Sequence, residues 1–159
     1  MLSNITVVAS DFRGYHNAGG IIGLANAPDT STSLVLENCV VKNCVISDGA
    51  DGNSACQRTV GTHVGNAGPC KTTVSNCLAV NNKLSGQGIN GGFVGNVSGY
   101  NAGLTISNSV AIGNSPVPTA YTYSLSDKYA NAVYSNVYTD QTVSQTGVTK
   151  LTIAQMTGE

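Results

Sequence analysis

Charge is what this chain has least of: 9% of its 159 residues are charged, seven basic against eight acidic, for a formal net charge of −1. Tight nucleic-acid binding needs clustered Lys and Arg to release counterions, and the seven here (Arg13, Lys42, Arg58, Lys71, Lys83, Lys128 and Lys150) are scattered, which excludes that class. Long apolar runs are missing too. Nothing approaches the roughly 18 consecutive apolar residues of a membrane helix, so no membrane insertion is expected. The start, Met1-Leu2-Ser3-Asn4, lacks a basic segment followed by an apolar one, so this chain carries no signal peptide and reads as cytosolic or as a fragment of a longer protein. Tryptophan is absent, and the five cysteines form no Cys-x-x-Cys pair. With only His16 and His63 to add, no zinc site, other metal or cofactor is expected. What is present is Val, Ile, Thr, Ser, Asn and 19 Gly, a vocabulary of short strands and tight turns rather than of helices or disorder.

The turns repeat. A polar-Asn pair precedes small and β-branched residues five times: Ser3-Asn4-Ile5-Thr6-Val7-Val8, Glu37-Asn38-Cys39-Val40-Val41-Lys42, Ser75-Asn76-Cys77-Leu78-Ala79-Val80, Ser107-Asn108-Ser109-Val110-Ala111-Ile112 and Ser135-Asn136-Val137-Tyr138-Thr139-Asp140. The Asn-to-Asn steps are 34, 38, 32 and 28 residues. Interleaved with these are Gly19-Gly20-Ile21-Ile22-Gly23, Gly61-Thr62-His63-Val64-Gly65 and Gly91-Gly92-Phe93-Val94-Gly95. The longest step holds a polar, Gly-rich surplus from Ser47 to Arg58, expected to be a corner loop.

A unit of about 30 residues with two or three short strands cannot bury its apolar face alone, whereas stacked units make a continuous core. The expected fold is therefore all-β: a right-handed parallel β-solenoid of about four to five coils over residues 1–140, with 141–159 a closing segment or the start of a linker and a short helical turn at the C-terminus. Equivalent residues of stacked strands lie about 4.8 Å apart and form ladders. Asn4, Asn38, Asn76, Asn108 and Asn136 form one such ladder, expected to face inward with its amides hydrogen-bonded along the stack. The glycines Gly19, Gly20, Gly23, Gly61, Gly65, Gly91, Gly92 and Gly95 fit either positive φ at corners or close approach of strands. Counting from each Asn, the first and third following residues are small enough for a narrow interior. The second and fourth include Lys42, Tyr138 and Asp140 and mark the outer face, leaving Leu78, Val80, Val110 and Ile112 as an outer apolar patch to be covered by the chain's own loops or by a partner.

The succession of Gly91-Gly92-Phe93-Val94-Gly95-Asn96 and Leu104-Thr105-Ile106-Ser107-Asn108-Ser109-Val110-Ala111-Ile112-Gly113-Asn114 resembles the GLUG-motif repeat family. There a Gly-Gly-Leu-Val-Gly type motif alternates with an Ile-Ser-Asn-Ser-Tyr-Ala type strand. Tyr134-Ser135-Asn136-Val137-Tyr138 followed by Gly147 to Met156 is similar to the closing segment of such arrays, where a Leu-Thr-x-x-Gln-Met helix start follows the last coil. The resemblance implies a secreted or cell-surface module, as in adhesin-like proteins of bacteria and some protists and in the non-catalytic parts of IgA-specific metallopeptidases. Gly61-Thr62-His63-Val64-Gly65 departs from the pattern, and Pro116 to Lys128 has no Gly-Gly element.

Candidate chemistry is sparse. Asp11, Asp29, Glu37, Asp48, Asp51, Asp127 and Asp140 fall mostly in expected loops, and Asp48 with Asp51 supplies only two carboxylates toward a calcium site. His63 replaces Ile21 and Phe93 in its motif, which makes it a packing residue; His16 reads as a turn residue. Cys39 and Cys77 are equivalent and are expected to stack inside as thiols or as a disulfide, while Cys56 and Cys70 flank the second Gly motif and are the candidate bridge. Of the two sequons, Asn4 belongs to the ladder and Asn96 is the candidate glycosylation site. Tyrosines 100, 121, 123, 129, 134 and 138 gather late in the chain and are expected to cap the last coil. The leading reading is a non-enzymatic structural or adhesive module, extracellular or on the cell surface, associating end to end as a filament subunit or with neighbouring domains. The alternatives are a carbohydrate-binding module and, behind it, a polysaccharide-degrading β-helix enzyme.

Overall fold

In the computed structural model, the described residues are 1–27, 29, 31–48, 59–85, 89–97, 103–116, 123–124, 132–141, 145–152 and 154–155. They are all-β, and every strand pair is parallel. The first pass of the chain lays down β1 (Leu2–Ser3), β2 (Thr6–Val8), β3 (Asp11–Gly14), β4 (Asn17–Gly19) and β5 (Ile22–Ala25). The same order recurs in β6 (Ser33–Glu37), β7 (Val40–Lys42), β8 (Val45–Asp48), β9 (Thr59–Gly61) and β10 (Val64–Ala67). It recurs again in β11 (Lys71–Ser75), β12 (Leu78–Val80), β13 (Lys83–Ser85), β14 (Ile89–Gly91) and β15 (Val94–Val97). Then β16 (Leu104–Ile112) runs through the first two strand positions, followed by β17 (Ser115–Pro116) and β18 (Tyr123–Ser124). Next, β19 (Ala132–Thr139) repeats β16, and β20 (Val148–Lys150) is the last strand.

Corresponding strands pair in register. β1, β6, β11, β16 and β19 stack so that Leu2, Leu36, Val74, Ile106 and Tyr134 are aligned. β2, β7, β12 and again β16 stack beside them, and the remaining sheets run β3-β8-β13-β17, β4-β9-β14-β18 and β5-β10-β15. The arrangement is compatible with a β-solenoid, but each of the first three passes holds five strands rather than the two or three expected.

The extra divisions come from the backbone at asparagine. Asn4, Asn38, Asn76, Asn108 and Asn136 have φ between 47° and 58°, the left-handed region that Asn tolerates better than other side-chain-bearing residues. A second such bend follows five residues on, at Ala9, Asn43, Asn81 and Gly113. A left-handed residue breaks the period-two alternation, so two consecutive side chains point out: Glu37 with Asn38, and Lys42 with Asn43, each pair flanked by buried residues. This corrects the inward expectation for the Asn ladder, which is exposed on the outside of the bend.

The residue after each bend turns inward and needs to be small. It often also donates a hydrogen bond to the carbonyl two positions back: Cys39 Sγ to Glu37 at 3.3 Å, Cys77 Sγ to Ser75 at 3.2 Å and Ser109 Oγ to Ser107 at 2.7 Å. At the second bend Ser10 bonds Val8 at 3.1 Å and Cys44 bonds Lys42 at 3.3 Å. Cysteine here acts as a buried small donor interchangeable with serine.

The Gly motif makes a corner of minimal width. A Cβ on Gly19, Gly61 or Gly91 would lie within about 2 Å of the carbonyl oxygen three residues on, of Ile22, Val64 or Val94. Close approach selects these glycines; among the described residues the positive-φ glycines are Gly113 and Gly147, outside the motif. Gly23, Gly65 and Gly95 lie where the sheets β5-β10-β15 and β4-β9-β14-β18 meet backbone to backbone, a Cβ on Gly95 standing 2.7 Å from the Val60 carbonyl oxygen. Gly20 would press on Val41, and Gly92 lies in the third corner.

Candidate functional site

The most regular feature of the molecule is its set of side-chain ladders. Along the outer bend Asn38 Nδ2 donates to Asn4 Oδ1 at 3.4 Å and Asn136 Nδ2 to Asn108 Oδ1 at 3.0 Å. A second, buried rail runs inside: Asn82 Nδ2 donates to the Val41 carbonyl at 2.9 Å and to Asn114 Oδ1 at 2.8 Å, and Asn114 Nδ2 donates to the Ala79 carbonyl at 2.8 Å. Their Oδ1 atoms accept the backbone N–H of the preceding pass, from Cys44 and Asn82, both at 3.0 Å. Both amides of this rail are thereby bonded one pass away, as burial demands, whereas Asn90 Nδ2 and Oδ1 and Asn96 Oδ1 are buried without a hydrogen-bond partner among the described residues.

The facing assignment counted from the Asn matches the burial. Cys39, Cys77, Ser109, Val137, Val41, Ala79, Ala111 and Thr139 are buried, while Ile5 and Val7 of the first pass are half-buried. On the outer side Leu78, Val80, Val110 and Ile112 are half-buried, beside an exposed Lys42 and a half-buried Tyr138 and Asp140.

His63 is buried, its ring tilted against Phe93 with centroids 5.3 Å apart. Nδ1 lies 2.9 Å from Thr62 Oγ1 and Nε2 lies 3.3 Å from the Cys39 carbonyl oxygen. Desolvation dominates over that carbonyl contact and pushes the imidazole down to about 4, so the ring is neutral at pH 7. His16 sits in the bend before β4, edge-on to Tyr15 with centroids 4.3 Å apart.

Among the described residues the carboxylates do not converge. Asp11 pairs with Arg13 at 3.1 Å on an exposed strand. Asp29 accepts from Ser31 N at 2.8 Å and from its hydroxyl, bonds that hold its carboxyl below the usual range. Asp140 accepts from Gly113 N at 2.8 Å and closes that bend. Asp48 is buried at the start of the surplus segment, whose first residues, Ser47 and Asp48, are strand β8 rather than loop. Among the described residues no three of His, Cys, Asp and Glu gather as a metal site. An open cleft of about 170 Å³ between Ala25, Thr32, Leu34 and Cys70 is below the roughly 300 Å³ of ordinary ligand pockets.

Cys39, Cys44, Cys70 and Cys77 are free and buried, and burial pushes the Cys77 thiol up to about 11. Cys70 Sγ lies 3.6 Å from Thr72 Oγ1. Cys56, Asp51, Asp127, Tyr100, Tyr121 and Tyr129 lie outside the described residues. Asn96 is in β15 and 2% exposed, not at an open corner, so a glycan on its amide would require unpacking the strand.

The two ends of the stack differ. β1 to β5 are each the last strand of their sheet path, and the inward residues Ile5, Val7, Phe12, Ile21 and Ile22 are half-buried. Their equivalents one pass on, Cys39, Val41, Ile46, His63 and Val64, are fully buried. At the other end β20 pairs with Val137–Thr139, and Val148 packs against the core. Beyond it Thr152 and Gln155 exchange hydrogen bonds in a capping box, Gln155 N to Thr152 Oγ1 at 3.2 Å and Thr152 N to Gln155 Oε1 at 2.8 Å. β20 thus covers part of the first sheet at this end, while β15, β17 and β18 end the other three sheets among the described residues.

No family model, curated protein or solved structure matches the chain.

The residues that sequence reasoning missed are the second bend, the inner Asn82–Asn114 rail and the covering strand β20. The spacing of five from Asn38 to Asn43 and from Asn76 to Asn81 is the signal that could have revealed the bend. Asn82 and Asn114, directly after its left-handed residues, would then have followed.

Proposed function

We propose that the chain is a non-enzymatic structural or adhesive module of a secreted or cell-surface protein. It is built as a right-handed β-solenoid of about four to five coils over residues 1–140, with 141–159 as the closing segment. The observation that carries this reading is the use of polar side chains for self-stacking. Asn38 bonds Asn4, Asn136 bonds Asn108, Asn82 bonds Asn114, and Ser109 Oγ accepts Cys77 N at 3.1 Å. A site for chemistry needs polar groups aimed at a substrate, and here they are aimed at the next pass. The resemblance of the interleaved motifs to GLUG repeats, and of the Leu151-Thr152 to Gln155 segment to the closing part of such arrays, supports the same reading and an extracellular setting.

The test is a panel of neutral and acidic polysaccharides incubated with the chain and assayed for new reducing ends and for unsaturated products. Background turnover throughout is expected. Turnover that disappears on replacing Asp48 with Asn would replace the module reading by an enzymatic one.

A further inference from the structure

We propose that the face presented by β1 to β5 is a self-recognition surface, joining two copies of this chain face to face in a closed two-fold dimer. The proposal rests on the module reading above and names the module's partner.

The face has the two features that call for a cover. The outer edges of five strands carry backbone N–H and C=O groups that no described strand pairs, a template for further strand addition. Beside them lies an open section through the core: Ile5, Val7, Phe12, Ile21 and Ile22 are half-buried, where the same ladder positions one pass on are fully buried. This is the surface that each inner pass presents to its neighbour, so its complement is another strand layer with apolar residues at matching positions.

The other end of the chain fixes which layer a second copy can offer. β20 occupies the position beside Val137–Thr139 where a following pass would add, and Gly147 and Val148 are seated against Tyr134 and the core. Head-to-tail addition on the first sheet would have to displace that strand. The β1 to β5 face, which no strand of the chain covers among the described residues, is the layer we assign to a second copy, and a contact that uses one face twice closes on itself instead of propagating.

Charge agrees with this choice. β3 carries Asp11 and Arg13 on its exposed side with Phe12 between them turned inward. When β3 lies antiparallel to its two-fold mate and the axis passes through Phe12, Asp11 stands opposite the second copy's Arg13 and Arg13 opposite its Asp11. Two opposite-charge pairs then flank a Phe12–Phe12 contact, the cross-strand arrangement that favours pairing.

Sedimentation over a wide concentration range tests it with the whole chain. The expected result is a monomer–dimer equilibrium with no larger species. Asp11→Arg, which sets Arg against Arg, is expected to weaken dimerisation by roughly tenfold or more, and the swap Asp11→Arg with Arg13→Asp to restore it. Both side chains are more than half exposed, so the far-ultraviolet circular dichroism of each variant should match the parent. A monomer at every concentration, a ladder of higher oligomers, or a charge reversal without effect would overturn the proposal. The polysaccharide panel separates this outcome from the module reading: a monomer without turnover removes the dimer alone, and turnover by a dimer removes the module reading alone.

Discussion

Between pH 7.5 and pH 5, acidification should destabilise this protein through His63. Its imidazole is fully buried and held down to about 4, against 6.5 for a free histidine. The unfolded chain therefore binds a proton at a pH where the folded chain does not. Stability contributed by the neutral ring is complete above pH 6.5, falls as pH drops from 6.5 toward 4, and levels off below that. The whole interval of about 2.5 units corresponds to about 3 kcal/mol, and the part between pH 7.5 and pH 5 to about 2 kcal/mol. The comparison is with His63→Phe, which places at this ladder position the residue already found one pass on, Phe93. Losing the contacts to Thr62 Oγ1 and the Cys39 carbonyl will cost the variant stability at every pH, so the quantity read is the change between pH 7.5 and pH 5. Urea unfolding followed by circular dichroism at both pH values should show the parent losing about 2 kcal/mol more than the variant. Equal losses in the two proteins would refute a buried neutral His63.

Other perturbations follow from the bends, the corners and the thiols. Asn38→Ala places an ordinary side chain at φ 54° and is expected to cost about 1–2 kcal/mol in urea unfolding, whereas Asn38→Gly should cost only a few tenths. Gly61→Ala directs a methyl group to 2.1 Å from the Val64 carbonyl oxygen and should cost more than about 3 kcal/mol or prevent folding, while Gly103→Ala, with nothing within 4 Å, should be silent in the same thermal melt. Asn82→Ala leaves the Val41 carbonyl and the Cys44 N–H without their partner, an expected loss of about 2–4 kcal/mol by denaturant titration. Cys39, Cys44, Cys70 and Cys77 should resist an aromatic disulfide reagent at pH 8 until urea is added, Cys77 most of all, and rapid native labelling of these four would contradict their burial.

The repeat was legible because ladders write the same physical demand into the chain once per pass. Small residues at Cys39, Cys77 and Ser109 report a narrow interior, and Gly61 and Gly91 report a corner where a Cβ has no room; both demands are local and strict. The direction of the Asn side chains was not legible from alternation. A left-handed residue resets the period of two, so counting along the strand sends Asn38 inward while the backbone turns it out. The second bend hid for a related reason, since it accepts Ala9 and Gly113 as well as Asn43 and Asn81 and so leaves no single-residue signature. β20 was beyond reach of the ladder pattern because Val148–Lys150 returns to β19 within a shorter span than any repeat. Burial of Asn96 was misjudged because the sequon advertises a surface site, while the fifth strand position of the pass places it in register with Asn66 within a packed sheet.

The claim on which all this depends is the parallel, in-register stacking of successive passes, and one measurement addresses it directly. Thr73 and Thr105 are register partners in adjacent strands β11 and β16, on the outward side of the first sheet. Replacing both by cysteine, in a Cys56→Ser chain whose other native thiols, Cys39, Cys44, Cys70 and Cys77, are buried, and attaching nitroxide labels puts two spins on neighbouring strands about 4.8 Å apart. Continuous-wave spin resonance of the double-labelled protein should show strong dipolar broadening compared with the sum of the two single-labelled spectra. A double-labelled spectrum equal to that sum would contradict the stack.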